Sequence, residues 1–136
     1  MYLARVLLAI WLIGLVGVAA ELVLLEHYED ALQFLPFVAI AAGLASGVWL
    51  ALRPGRAATR AFRVVIAGFL ISGLVGLVLH YRGNSEFERE RDPSISGLAL
   101  IWESLTGATP ALAPGTMILF TFIGYAVLVS RRQPPV

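Results

Sequence analysis

Four long apolar segments, separated by polar stretches, make up most of the chain. Each is near the roughly 20 apolar residues that an α-helix needs to cross a hydrocarbon core of about 30 Å. The pattern predicts crossings at about 6–25, 34–52, 64–79 and 111–129. We therefore predict one transmembrane domain over 1–136, an all-α integral membrane protein built as a bundle of four transmembrane helices.

Composition agrees with this class. Hydrophobic residues make up 59% of the 136 residues and charged residues 14%, against about a quarter charged in an ordinary soluble domain. The first segment also resembles a signal peptide, because Arg5 precedes an apolar run and the small residues at 17–20. The apolar run continues to Leu25, which favours an uncleaved helix over a cleaved one.

Charge differs between the two ends of the predicted bundle. One end carries only positive residues: Arg5, Arg53, Arg56, Arg60, Arg63, Arg131 and Arg132. The other end carries the acidic loops, within 26–30 and 86–103. Positive charge in short loops marks the cytoplasmic side. Both termini are therefore predicted to be cytoplasmic, with the acidic loops on the outer side.

Small residues recur at every fourth position in the second and third segments. They are Ala39, Gly43 and Gly47 in the second, and Gly68, Ser72 and Gly76 in the third. Lipid tails give helices no hydrophobic reason to associate, so helix packing depends on the close backbone approach that small residues permit. These residues are predicted to face other helices, either within the chain or in a second copy.

The outer loop over 80–110 contains a second apolar pattern. Residues 82–92 mix both signs of charge, which is typical of a solvated turn or a helix end. Apolar positions then recur at spacings of three and four: Ile95, Leu98, Ile101, Trp102 and Leu105. This spacing predicts an amphipathic helix at about 95–105 that lies on the outer face, with Trp102 at the headgroup level. The same face is suited to packing against the bundle or a partner.

The two histidines follow a weak internal repeat. The sequence GLVG occurs at 14–17 and 73–76, and each copy is followed by an apolar stretch and a His-Tyr pair. A duplication would relate two helical hairpins by an axis along the membrane normal. His27 and His80 would then lie at corresponding outer helix ends. The alternative is that both are ordinary polar residues at helix ends.

Imidazole and carboxylate groups at this end suggest a binding site. Divalent transition metals accept both ligand types, and the candidate ligands are His27, His80, Glu26, Asp30, Glu86 and Glu88. A haem with two axial histidines and a quinone are the other cofactor hypotheses. No dense metal motif such as HExxH is present.

Glu21 is a separate candidate because it lies inside the first apolar segment, about one turn from the outer interface. A carboxylate there usually faces the protein interior or a water-filled cavity, as in a proton or cation path. The alternative is that it reaches water or pairs with Arg82.

Soluble-enzyme chemistry finds no support in the sequence, which has no cysteine, phosphate loop or nucleophile elbow. The inner loop is too short for a nucleic-acid module. The sequence therefore favours a non-catalytic accessory or interaction subunit, in contact with lipid and with other membrane subunits or itself. The alternative is a carrier or sensor that binds a metal ion, a proton or a cofactor at the outer His and carboxylate cluster.

Overall fold

A computed structural model describes residues 2–107 and 112–131, and this part of the chain is helical without any strand. The helices are α1 Tyr2–Leu24, α2 Phe34–Leu52, α3 Arg56–Arg91, α4 Gly97–Thr106 and α5 Gly115–Ser130. A short 3₁₀ helix, Ala31–Gln33, precedes α2. The predicted start of the last crossing at 111, and Arg132, lie outside the described residues.

Three helical segments in the described part are long and apolar enough to span a membrane: Tyr2–Leu24, Ala31–Leu52 and Arg56–Arg91. These segments expose many large apolar side chains, such as that of Ile13 at 72% exposure, which suits contact with lipid tails. The helix α5 is apolar but shorter, at 16 residues. The chain is therefore an integral membrane protein.

The helices α1, α2, α3 and α5 form a closed ring in which each contacts the next and α5 returns to α1. Neighbours run antiparallel. Positions 43 and 47 of α2, for example, meet Leu15 and Leu12 of α1 in reverse order. As a result, α1 and α3 lie diagonally opposite each other and run in the same direction.

Trp11 lies at the centre of this ring and is completely buried. Its ring packs against Phe62 and Phe69 of α3 and Phe120 of α5, with centroid separations of 4.9, 5.6 and 6.3 Å. The indole N–H donates a hydrogen bond of 2.8 Å to the carbonyl oxygen of Phe120. This bond removes the penalty of burying an unpaired donor. The diagonal helices therefore meet through aromatic side chains.

The small residues of α2 pack as predicted from their spacing. A Cβ added to Gly43 would lie 2.7 Å from Leu15 Cδ1, and one added to Gly47 would lie 2.8 Å from Leu12 Cδ2. Ala39 packs against the same core. The absence of larger side chains on this face lets α1 approach α2 closely.

The stripe on α3 needs a correction at its first member. Gly68 is exposed, and a Cβ there would meet nothing within 4 Å. Ser72 is buried. Cβ atoms added at Gly73 and Gly76 would contact Ile118 of α5 and Pro114, the residue before α5, respectively. Steps of four residues drift about 40° around a helix, so the spacing alone does not decide which members of a stripe meet a neighbour: Gly68 faces outward, whereas Gly43 and Gly47 of α2 stay in contact.

The helix α3 is much longer than the crossing predicted at 64–79. Its 36 residues extend for about 54 Å, so residues 80–91 of the predicted outer loop are helical. Five of the last six residues are Glu or Arg, which are strong helix formers. The helix ends where Asp92 adopts extended backbone angles, as expected of a residue before proline.

The helices α4 and α5 run along α3 one after the other, both antiparallel to it. The Asn84 side chain on the outer third of α3 contacts Ser104 of α4. The Thr121 hydroxyl of α5 donates to the carbonyl oxygen of Ile66, nearer the other end of α3. One helix thus supports both a bundle neighbour and an outer hairpin formed by residues 82–106.

Candidate functional site

The last turn of α1 fixes the position of His27. The Glu26 N–H donates to the Val23 carbonyl oxygen and the His27 N–H to that of Leu22, at 3.1 and 2.9 Å. This is the Schellman pattern of helix termination, in which the residue at the place of Glu26 is usually glycine. Glu26 has φ 52°, a left-handed conformation that costs a non-glycine residue about 1–2 kcal/mol.

Gln33 organises the rest of this loop. Its side-chain oxygen accepts the N–H groups of Glu29 and Asp30, at 2.7 and 3.3 Å. Pro36 lies in the first turn of α2, where a backbone N–H has no helical partner in any case. The charged segment 26–30 is therefore a folded loop whose carboxylates are exposed.

His27 and His80 face each other at this end of the bundle. Their ring centroids are 6.2 Å apart and the ring planes differ by 37°. Both side chains are half-buried. The helices α1 and α3 lie diagonally opposite each other. The histidine pair therefore bridges them at this end of the bundle, as Trp11 bridges them in the middle. The structure therefore brings together the two histidines that the sequence pairs.

The predicted carboxylate ligands are not assembled around this pair. No group of three or more His, Cys, Asp or Glu side chains within 2–107 and 112–131 is arranged to hold a metal ion. Glu26, Asp30 and Glu86 are exposed, and Glu88 is buried in an ion pair with Arg91. The described part of the chain offers two imidazoles without a third ligand, which gives the metal hypothesis no support from the carboxylates.

Glu21 is exposed on the last full turn of α1. Among the described residues it forms no ion pair with Arg82 or with any other basic residue. Its side chain is directed outward from the bundle, so the structure does not bring it into an internal path for protons or cations.

The internal repeat does not extend to the packing of its glycines. A two-fold axis would place Gly14 and Gly73 against different helices. In the structure both meet α5, because a Cβ at Gly14 would lie 2.8 Å from Phe120 and one at Gly73 would lie 2.7 Å from Ile118. The similarity of the two segments is therefore limited to the helix ends that carry the histidines.

The outer hairpin buries polar side chains between α3 and α4. Asn84, Glu88 and Ser104 are all less than 5% exposed. The Asn84 amide donates to the Ser104 carbonyl oxygen at 2.9 Å, and the Ser104 hydroxyl donates to that of Leu100 at 2.6 Å. Sequence reasoning did not identify Asn84 and Ser104, and it named Glu88 only as a candidate metal ligand. The available signal was the spacing of four between Asn84 and Glu88, which puts both on one helix face.

An ion pair connects the same two helices. The Arg91 guanidinium lies 2.6 Å from a Glu88 carboxylate oxygen and 4.0 Å from one of Glu103 on α4. Glu88 is the buried member, and Arg91 is mostly exposed. Removal of the arginine would therefore leave a buried carboxylate without its cation, which is the costly way to break such a pair.

The turn that joins α3 to α4 is closed by Asp92. One of its carboxylate oxygens accepts the backbone N–H and the hydroxyl of Ser94, at 2.9 and 2.6 Å. These hydrogen bonds, the one from the Ser94 hydroxyl first, hold the pKa of Asp92 below its ordinary value, and the nearby positive charge of Arg91 acts in the same direction.

The apolar face predicted for α4 points away from α3. Leu98 and Trp102 are 84% and 66% exposed, whereas Leu100 is 7% exposed. Ile101 and Leu105 lie on the same outward face as Trp102. The outer third of α3 presents Asn84 and Glu88, and the matching surface of α4 is therefore the one with Ser104. The stripe that the sequence identifies is the free surface of the hairpin.

This free surface continues towards the bundle. Leu105 lines a mostly apolar groove together with Leu77, Val78, Tyr81 and Arg82 of α3 and with Leu112. An almost uninterrupted apolar strip thus runs from the apolar part of α3 to the tip of α4.

Comparisons with known proteins give no relative. No protein-family model matches the chain, and no curated protein or solved structure shows a significant match.

Proposed function

We propose that the chain is a small membrane protein with four crossings that acts as a non-catalytic accessory or interaction subunit of a membrane complex. It docks through the outer hairpin onto an apolar helix of another subunit. The observation that carries this proposal is the exposed apolar face of α4, held beyond the apolar part of α3.

The proposed topology uses α1, α2, α3 and α5 as the four crossings. The 16 residues of α5 extend about 24 Å, and a crossing of that length is accommodated by local thinning of the bilayer. Arg5, Arg53, Arg56, Arg60 and Arg63 lie at one end. By the positive-inside rule this end is cytoplasmic, both termini are inside, and the hairpin is outside.

The bilayer alone does not account for the α4 surface. Glu86, Arg89 and Glu90 are exposed on the part of α3 that α4 follows. Charged side chains are excluded from the hydrocarbon core, so α4 lies at the headgroup level or beyond. Trp102 is then suited to the headgroup region, whereas Leu98 at the tip is left in water. An exposed apolar surface that lies next to charged side chains, as this one does, marks an interaction site.

The continuity of the apolar strip favours one type of partner. The strip passes from Leu77 and Val78 through Leu105 to Leu98. A partner helix that leaves the bilayer and continues outward would cover all of it. A soluble partner would cover only the α4 end.

Site-specific photo-crosslinking in intact membranes tests this proposal. A benzophenone amino acid replaces Leu98 or Trp102, and Ile13 provides the lipid-facing control because its side chain is 72% exposed on α1. We expect a defined adduct with one integral membrane protein from positions 98 and 102, and none from position 13. Trp102→Glu should then reduce co-purification of that protein at least about tenfold, since buried aromatic anchors dominate such interfaces.

Three results would contradict the proposal. The first is an adduct with lipid alone at all three positions. The second is a crosslink between two copies of this chain, which would make the partner a second copy. The third is purification in mild detergent as a lone monomer that binds a small ligand tightly.

The second candidate function is ligand binding at the outer histidines, and the 6.2 Å separation of the His27 and His80 rings favours it. Metal–nitrogen bonds of about 2.0–2.1 Å, with about 1.1 Å from each nitrogen to its ring centre, let two imidazoles on opposite sides of an ion have centroids up to about 6.4 Å apart. A tetrahedral ion such as Zn²⁺ requires a separation of about 5.2 Å, so the two rings would have to approach by about 1 Å to share it. The same pair could hold the iron of a haem or bind a quinone. The chain would then act as a carrier or sensor for a metal ion, a proton or a cofactor.

Metal analysis and an absorption spectrum of the purified protein test this candidate. A resident metal or chromophore should be lost in both His27→Ala and His80→Ala, and retained in Glu21→Gln, which removes an exposed charge on α1 away from the pair. Purified protein without metal or chromophore that also binds no added Zn²⁺ or haem would remove this candidate.

A further inference from the structure

A groove opens at the arginine-rich end of the bundle, opposite the histidines. Its volume is about 330 Å³, at the lower end of the range of about 300–1,000 Å³ for ligand pockets. Leu8, Ala9 and Leu12 of α1 and Ala51 of α2 form its apolar wall. Arg5 and Arg131 form its charged edge. One end of the groove is therefore cationic and its length is apolar.

The two arginines come from opposite ends of the chain and are brought together by the contact between α1 and α5. All nine acidic residues lie within 2–107 and 112–131, and the ion pairs formed in this part of the chain involve only Arg91. Neither Arg5 nor Arg131 is therefore neutralised by an Asp or Glu side chain. A pair of guanidinium groups that no Asp or Glu side chain neutralises favours an anionic ligand.

We propose that this groove binds one anionic phospholipid, with its phosphate between Arg5 and Arg131 and the first part of an acyl chain along α1. The wall from Ala4 to Leu12 covers about 12 Å of helix, which runs in the same direction as a lipid tail. Basic pockets between transmembrane helices are suited to anionic headgroups. The inference is independent of the proposed partner and of the outer histidines.

Several features of the groove match a lipid better than a free anion. Ala9 and Ala51 are small, so the wall leaves room for a chain of methylene groups beside the buried side chain of Leu8. A free phosphate ion would contact the arginines but would bury no apolar surface against this wall. Apolar contact with the wall therefore distinguishes a phospholipid from free phosphate.

Native mass spectrometry of the purified chain in mild detergent tests the proposal. Phosphatidylglycerol is titrated against phosphatidylcholine of the same chain length. We expect one phosphatidylglycerol to bind at least about tenfold more tightly, because each basic residue contributes roughly a fivefold preference for an anionic lipid. Arg5→Gln and Arg131→Gln should each weaken binding by about fivefold.

Arg60→Gln is the matched control, since it removes the same charge from the exposed start of α3 outside the groove. It should leave phosphatidylglycerol binding unchanged. Ala9→Trp keeps both arginines and fills the apolar wall, so it should weaken lipid binding without abolishing the attraction of phosphate. Thermal unfolding in lipid-free detergent checks that each variant is folded.

Equal binding of the two lipids would overturn the proposal. So would a loss in Arg60→Gln as large as that in Arg5→Gln, because binding would then follow net charge alone. If millimolar inorganic phosphate displaces the lipid and Ala9→Trp has no effect, the site binds a free anion and the lipid assignment is wrong.

Discussion

The largest fully buried side chain of the bundle is that of Trp11, whereas the fully buried side chain of the outer hairpin is that of Ser104. The bundle buries the aromatic rings of Trp11, Phe62, Phe69 and Phe120 and leaves other apolar side chains, such as that of Ile13, exposed. The hairpin places Asn84, Glu88 and Ser104 inside and leaves Leu98 and Trp102 exposed. The two regions share one helix, α3, yet distribute polar and apolar side chains in opposite ways.

The surroundings of each region explain the contrast. Lipid tails are apolar, so an Ile side chain that faces them has about the same free energy as one that is buried in the bundle. The shapes of the side chains, and how closely they pack, therefore determine which residues lie inside. In the proposed topology, water or headgroups surround the hairpin, so an exposed Leu is unfavourable and buried polar groups must form hydrogen bonds. The exposed apolar face of the hairpin is the basis for the proposed partner.

The largest expected effect is that of Trp11→Ala. The change removes contacts with Phe62, Phe69 and Phe120 and leaves a central cavity, so we expect a loss of about 3–5 kcal/mol in the free energy of unfolding. Titration with a denaturing detergent measures it. Ile13→Ala on the same helix should cost about 0.5 kcal/mol or less. Equal losses would show that Trp11 is not the centre of the core.

A smaller effect in the bundle distinguishes two glycines that share the same sequence pattern. Gly43→Val would place side-chain atoms against Leu15 and Phe69 and should destabilise the bundle by about 1–3 kcal/mol. Gly68→Val, on an open surface of α3, should change stability by at most about 0.5 kcal/mol. Detergent titration of both variants measures the difference. A large loss at Gly68 would indicate a helix interface with another chain.

The hairpin should respond locally to Asn84→Ala. Loss of the hydrogen bond to Ser104 in a buried site should weaken the attachment of α4 by about 1–3 kcal/mol, which corresponds to roughly 5- to 150-fold faster hydrogen exchange of the α4 amides. The amides of α5 should remain unchanged. Gly83→Ala, next to it on an open surface, is the control. Loss of protection in both α4 and α5 would contradict an independent hairpin.

The smallest effect concerns the pH dependence of the turn at Asp92. Its pKa lies below the ordinary value of 3.8 because Ser94 donates to the carboxylate. A carboxyl group with a lowered pKa in the folded state stabilises that state above about pH 4, and this contribution is lost as the pH falls through the folded pKa. Ser94→Ala should raise the pKa of Asp92 towards its ordinary value.

A carbon-detected NMR titration of the side-chain carboxyl groups measures this shift. The protein with Ser94 intact, titrated under the same conditions, provides the reference. An unchanged pKa of Asp92 in Ser94→Ala would show that the hydroxyl does not hold the turn.

Some features were accessible from sequence because they depend on local or additive properties. Long apolar segments are visible in composition, and helix is the structure that satisfies its own backbone in lipid. The packing of Gly43 and Gly47 follows from their spacing. Gly68 has the same spacing but points away, because the direction of a helix face depends on where the neighbouring helix lies. Trp11 lies within the first apolar segment, but its three aromatic neighbours come from distant segments.

The site shows the same division. Sequence paired His27 with His80 through side, depth and a faint repeat, and the structure brings their rings to 6.2 Å. The carboxylates near them in sequence do not converge on the two rings. The left-handed turn at Glu26 and the helical rotation of α3 direct these side chains away from the histidines. The course of the backbone in three dimensions determines which of several charged side chains that are close in sequence also lie close together in space.

By itself, the sequence determined the class of the protein and the charge of its two ends, since hydropathy and arginine content are sums over residues. Tertiary structure alone decided that α3 continues past the apolar part into a hairpin, and that α4 packs through Ser104. It alone placed Arg5 beside Arg131. These features depend on contacts between residues far apart in the chain, whose energies no local pattern contains.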